Sequence, residues 1–214
     1  MSQLCYDSHL YHHHFSTKGS SNLLFCVIMK LYHSQKWHIS FIEWRINTME
    51  HMEIEKKYTL KYLPDNLEQY PCKIIEQAYL NTSPVVRIRK SNNTYTLTYK
   101  GSGLLAREEY NLPLDEASYQ HLLQKADGNI ISKKRYLIPL KNPQFDDSCY
   151  PIVLPTLTIE LDVFAPPFAP LIMAEVEFSS LDLANAFLPP DWFDVEVTTD
   201  LAYHNVTLSQ KHFT

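Results

Sequence analysis

His51-Met-Glu-Ile-Glu-Lys-Lys-Tyr58 places a charged residue at every second position from Glu53 to Lys57. Strand side chains alternate with period two, so an extended backbone sends Glu53, Glu55 and Lys57 to one face and Met52, Ile54, Lys56 and Tyr58 to the other. The first face is purely ionic. Two carboxylates and an ammonium side by side are costly unless a metal ion, a charged ligand or open water neutralises them.

Downstream the same alternation recurs. Ile74–Leu80 and Pro84–Lys90 read as strands broken at Asn81-Thr-Ser-Pro84, and the second pairs Arg87 with Arg89 on one face against Val86 and Ile88. Thr94–Lys100 sets hydroxyls and Lys100 against Tyr95, Leu97 and Tyr99, and after a hairpin turn at Gly101-Ser-Gly103 the segment Leu104–Leu112 carries Arg107, Glu109 and Asn111 on one side. Ile130–Leu137 pairs Lys133 with Arg135 by parity. In Leu157–Val163 the ionic face, Thr158, Glu160 and Asp162, is acidic, and in Leu171–Phe178 Glu175 and Glu177 fall together. Trp192–Thr198 is expected to be a last strand. Three helical segments are predicted: a turn and short helix over Tyr62–Glu68 with Asp65 as cap, a helix over Leu114–Ala126 stopping at Asp127-Gly128, and a short capped helix over Ser180–Phe187.

One charged strand face is ordinarily the solvated side of a half-exposed sheet. About six successive strands with charges at alternate positions, basic in the first half and acidic in the second, are different, because a solubility surface mixes both signs. If the sheet closes, the apolar faces lie outside under the helices and the charged faces line the interior. Such an interior needs paired charges or bound ions. Arg and Lys clusters suit a polyphosphate, and carboxylates suit Mg²⁺ or Mn²⁺, hard cations that prefer oxygen and bridge to phosphates.

Composition is consistent with this. The chain has 214 residues, enough for one domain plus an extension, and a net charge of −5, which argues against a nucleic-acid-coating protein. Cys5, Cys26, Cys72 and Cys149 are too scattered for a structural zinc site and suggest a reduced, cytoplasmic chain. Four glycines against 14 tyrosines, with many Thr, Val and Ile residues, favour strands. Residues 1–48 have no sustained period and are read as a poorly ordered extension of unknown role. Their apolar run Leu23–Met29 is seven residues long, where a bilayer span needs roughly 20. His12-His-His14 is read as a flexible polar run rather than a metal site, and Met49 and Met52 offer an alternative start ahead of the ionic strand.

The ordered set Glu53-x-Glu55-x-Lys57, Arg87-x-Arg89, Lys100, Arg107-x-Glu109, Lys133-x-Arg135, Asp162 and Glu175-x-Glu177 resembles the CYTH family, the triphosphate tunnel metalloenzymes, in particular its short bacterial inorganic triphosphatases. The resemblance covers residues 49–214 and implies a mainly β fold, an eight-stranded antiparallel barrel forming a charged tunnel with a few covering helices. It implies that Glu53, Glu55, Glu160, Asp162, Glu175 and Glu177 hold Mg²⁺ or Mn²⁺. It further implies that Arg87, Arg89, Lys100, Arg107, Glu109, Lys133 and Arg135 contact substrate, and that Lys57 acts with Glu53 and Glu55 in catalysis by orienting or activating water. Val195–Asn205 resembles the family's closing strand and plug, though Leu201 and Ala202 stand where relatives carry a basic residue near Tyr203, and Asn111 stands where they often repeat an acid.

The implied function is metal-dependent hydrolysis of tripolyphosphate by a monomer or homodimer with a small-molecule substrate and no nucleic-acid or membrane partner. A class IV adenylate cyclase, a nucleoside or thiamine triphosphatase, and a non-catalytic polyphosphate-binding module remain alternatives.

Overall fold

Period-two alternation requires each strand to have both faces served, and the barrel meets that requirement by turning the charged faces inward. The structure, a computed structural model, describes residues 51–147, 151 and 153–213. The extension, His12–His14 and three of the four cysteines therefore lie outside the described residues, and Cys72 is an exposed free thiol.

The strands are β1 (Met52–Leu60), β2 (Cys72–Thr82), β3 (Val85–Ser91), β4 (Thr94–Lys100), β5 (Ala106–Leu114), β6 (Asp127–Leu140), β7 (Gln144–Phe145), β8 (Leu157–Phe164), β9 (Ile172–Glu177), β10 (Phe187–Leu188) and β11 (Phe193–Glu196). The helices are α1 (Glu116–Leu123), α2 (Leu181–Ala186) and α3 (Asn205–Ser209). Neighbouring strands run in the order β1-β5-β4-β3-β2-β6-β8-β9, and β9 pairs back onto β1. The result is a closed, eight-stranded antiparallel barrel, with β11 added beside the second half of β1 and β7 paired with β10 as a separate ribbon. Closure removes the free edges that an open sheet would present.

Three apolar clusters hold the barrel from outside or at one end. Ile54, Tyr58, Ile159, Leu161, Ala174 and Val176 pack under Ala184 and Ala186 of α2 and the aromatics Phe187 and Phe193. Ala78 and Ile88 pack under Tyr119 of α1, whose buried hydroxyl donates to Glu76 Oε1 at 2.8 Å. Leu208 of α3 packs with Tyr79, Ile131, Phe164 and Phe168.

Local chemistry sets the boundaries. Asp115 caps α1 by accepting from Ser118 N at 2.6 Å, and Ser180 caps α2 by accepting from Leu183 N at 3.2 Å. Gly103 adopts φ 129° between β4 and β5, where an added Cβ would meet Ala106 O at 2.1 Å. Three sequence expectations are corrected. The segment around Tyr62–Glu68 contains only a 3₁₀ turn, Leu67–Gln69, whose cap position is Asn66 in the left-handed region. α1 is shorter than Leu114–Ala126, because β5 continues to Leu114 and Asp127-Gly128 already opens β6. α3 and the β7–β10 ribbon were not expected, being too short to show a period. Among the described residues no helix is long and apolar enough to cross a membrane.

Ile88 is fully buried in the cluster beneath α1. Ile88→Ala is expected to lower the unfolding free energy by about 2–5 kcal/mol, read by urea denaturation.

Candidate active site

Inward parity brings most of the predicted residues to one cavity of about 160 Å³. β1 supplies Glu53, Glu55 and Lys57; β3 supplies Arg87 and Arg89; β4 and β5 supply Lys100, Arg107 and Glu109. Across the barrel β6, β8 and β9 add Arg135, Glu160, Glu175 and Glu177. Lys133 and Asp162 are not among the lining residues. They lie beneath the wall, 2% and 1% exposed, paired with each other at 2.5 Å. Lys133 Nζ also lies 5.0 Å from the centroid of the Phe164 ring. Burial first, then the neighbouring Arg135 and Arg89, outweigh Asp162 and pull the Lys133 ammonium down to about 8.

Opposite charges meet directly across the strands. Lys57 Nζ sits 2.5 Å from Glu175 Oε1 and 2.8 Å from Glu55 Oε1. Lys100 Nζ lies 2.6 Å from Glu53 Oε1 and 2.5 Å from Glu109 Oε2. Arg107 spans Glu53 Oε2 at 2.9 Å and Glu55 Oε1 at 3.1 Å. Arg135 pairs with Asp162 and Glu175, both at 2.5 Å, and with Glu160. Among the described residues no three acidic, His or Cys side chains converge as a ready-made metal cluster.

Three groups stand outside this pairing. Arg87 and Arg89 have no carboxylate within ion-pair distance among the described residues: Arg87 Nη2 donates to Thr98 Oγ1 at 3.2 Å, its buried Nε has no partner, and Arg89 donates to Gln77. Among the described residues Glu177 forms no ion pair, and it lies directly opposite Glu55 in the β1–β9 register. Burial, then the carboxylates Glu53, Glu160, Glu55 and Glu109, push the Glu177 carboxyl up. The cavity thus has a basic side and an acidic side, each short of a counter-charge.

Several residues at the cavity were not among the site residues expected from the sequence, although His204 and Asn205 end the segment that resembles the family's plug. Tyr79, which lines the cavity, and the buried Gln77, which does not, belong to β2, where the one charge of inward parity is Lys73 at the exposed start of the strand, so parity did not single them out. His204, Asn205 and Val206 reach the cavity from the C-terminal segment around α3. His204 Nε2 lies 2.9 Å from the carbonyl oxygen of Thr198, and since a carbonyl only accepts, that nitrogen is the donor. Burial lowers its imidazole, which is therefore neutral near pH 7. Asn111 accepts from Thr98 Oγ1 at 2.7 Å and donates to Glu109 Oε1 at 2.6 Å, so this amide links Thr98 to a carboxylate of the wall.

The pairing sets a pH dependence. Burial alone would raise the Glu109 and Glu175 carboxyls, but Lys100 holds Glu109 at about 2, and Lys57, Arg135 and Lys133 hold Glu175 well below its usual range. Groups with depressed folded-state pKa values stabilise the fold above their unfolded value, here 4.5, and that contribution is lost as pH falls towards the folded value. The melting temperature is therefore expected to fall as pH drops from about 4.5 towards 2, with a shallower fall in Glu109→Gln; an equally steep fall in that variant would contradict the assignment.

Residues 51–169 match the family model of the CYTH domain. An inorganic triphosphatase of Nitrosomonas europaea is 37% identical over 161 residues, which span 73% of this chain and 96% of the relative. A crystal structure of an inorganic triphosphatase aligns with a TM-score of 0.54 at 32% identity, covering 75% of this chain and 95% of that one. A second structure of the same protein aligns with a TM-score of 0.53 at 33% identity, covering 74% and 98%. The ordered ionic strands, their closure into a charged barrel and these likenesses agree, and the chain belongs to the CYTH domain family.

Proposed function

We propose that this barrel is a metal-dependent inorganic triphosphatase, in which water attacks a terminal phosphorus of tripolyphosphate. The observation that carries the reading is the pair Arg87 and Arg89, two cations on the cavity wall with no carboxylate partner among the described residues. Guanidinium forks match phosphate oxygens, and a polyanion supplies the missing negative charge. A relative 96% of whose length is matched, itself named an inorganic triphosphatase, supports the substrate class.

The acidic side fits a hard divalent cation. Every donor there is a carboxylate oxygen, and Glu177, which has no ion-pair partner among the described residues, lies directly opposite Glu55. Glu53, Glu55, Glu160, Glu175 and Glu177 would hold Mg²⁺ or Mn²⁺. When bound, such an ion offsets negative charge on phosphate oxygens and lowers the pKa of coordinated water. Asp162, beneath the wall, would instead orient Arg135 and Lys133.

The protein's own groups do the positioning. Arg87 and Arg89 bind terminal phosphate oxygens. Lys100, Arg107 and Arg135 stand ready to neutralise charge that develops as the phosphoanhydride breaks. Burial disfavours the Lys57 ammonium, but Glu175 and Glu55 outweigh it and raise its pKa above the ordinary 10.5. Between those partners Lys57 is a cation, and it serves as a hydrogen-bond donor that orients water or phosphate. Among the described lining residues the aromatic rings are those of Tyr79 and His204.

A panel of tripolyphosphate, ATP and thiamine triphosphate, each with Mg²⁺ or Mn²⁺, tests the reading. Phosphate release fastest from tripolyphosphate is expected. Cyclic AMP as the main product from ATP would make it a cyclase, and no turnover of any compound would leave a binding module.

Two further outcomes are expected. Glu53→Gln lowers kcat about 100-fold, whereas Arg87→Ala chiefly raises KM, by about tenfold or more; Lys56→Ala and Glu108→Ala, which face outward, change either constant less than about twofold. At pH 7 Mg²⁺ or Mn²⁺ raises the melting temperature of the wild type, and raises that of Glu177→Gln less. A shift of equal size in both proteins would remove Glu177 from the metal set.

A further inference from the structure

Gln77 lies in the middle of β2 and is wholly shielded from solvent. The β2–β3 register sets it opposite Arg89 and sets Tyr79 opposite Arg87. Its Oε1 accepts from Arg89 Nε at 3.2 Å and from Arg89 Nη2 at 2.9 Å, while its Nε2 donates to the Tyr79 hydroxyl at 3.2 Å. The amide orientation follows from chemistry, because a guanidinium only donates and must face the oxygen. Having accepted from Gln77, the Tyr79 oxygen keeps its own proton to donate. Arg89 and Tyr79 both reach the cavity; Gln77 does not.

What distinguishes this contact is its neutrality. Lys57, Lys100, Arg107, Lys133 and Arg135 each meet at least one carboxylate. At Arg89 the fold supplies two hydrogen bonds that fix the fork and no charge that cancels it. Burial, then the neighbouring Arg87 and Arg135, lower the Arg89 guanidinium to about 10, so the environment disfavours its charge until an anion arrives. A glutamate has nearly the same shape as glutamine and would make the same two contacts, but as an ion pair.

We propose that Gln77 is a positioning residue for anion binding, aiming Arg89 and Tyr79 into the cavity while leaving the charge of Arg89 free for a polyphosphate. The proposal rests on the triphosphatase reading for its substrate, and its test separates the two.

KM and kcat for tripolyphosphate, and calorimetric affinity for the same compound, are measured for the wild type, Gln77→Leu, Gln77→Glu, Arg89→Ala and the double variant Gln77→Leu/Arg89→Ala, with melting temperatures as a check on folding. Loss of a hydrogen bond to a charged group predicts that Gln77→Leu weakens binding and raises KM about tenfold, with kcat within about threefold of wild type. Gln77→Glu is expected to do the same at an unchanged melting temperature, because it cancels the charge. In the Arg89→Ala background Gln77→Leu should change affinity less than about twofold, the signature of a residue acting through Arg89.

Unchanged affinity in folded Gln77→Leu and Gln77→Glu, or an equal loss with and without Arg89, overturns the proposal. If Gln77→Leu fails to fold, Gln77→Glu decides it by affinity alone. A wild type that binds tripolyphosphate without hydrolysing it refutes the triphosphatase reading while the affinities still decide the role of Gln77. A wild type that does not bind it refutes both.

Discussion

Charge buried inside a barrel is tolerated only where an opposite charge stands within reach, and the cross-strand register provides it. Lys57 lies opposite Glu175, Arg107 opposite Glu53, Lys100 opposite Glu109, and Arg135 opposite Asp162. Directly opposed side chains are the closest neighbours a sheet offers, so each pair forms without distorting the backbone. A slip of one residue in any strand would turn that strand's charged face outward and bring its apolar face into the tunnel. The ionic lattice and the strand alignment therefore depend on each other.

The outward faces supply the hydrophobic burial that the interior does not. Ile54, Ile159, Leu161 and Val176 lie under α2 and its following aromatics, and Ala78 and Ile88 lie under α1. Near α3, Leu208 joins Tyr79, Ile131 and Phe164. This inverts the usual small barrel, whose side chains fill the inside with apolar packing.

Where the pairing stops, function begins. Buried groups without counter-charges are expensive, and a fold keeps them only where a ligand supplies the complement. Among the described residues Arg87 and Arg89 lack a carboxylate partner on one side of a single cavity, and on the other the more exposed Glu177 lies opposite Glu55. Gln77 belongs to the same logic, since a neutral amide orients a cation without quenching it. An anion carrying several charges together with a divalent cation satisfies both sides at once.

Period two was visible in the sequence because backbone geometry imposes it locally. From it followed the inward set from Glu53 to Glu177, the outward apolar set and the mainly β class. Parity says which face a residue takes, but not its depth in the barrel or its partner. Depth removed Lys133 and Asp162 from the wall, and partnership separated Arg87 and Arg89, which have no carboxylate partner among the described residues, from Arg107 and Arg135, which are held by carboxylates. Gln77 and Tyr79 had no charge to draw notice, and His204 entered the cavity from a segment too short to show a period. Alternation is a property of one strand, whereas register, depth and pairing arise only when eight strands close on one another, and that closure is what tertiary structure alone decided.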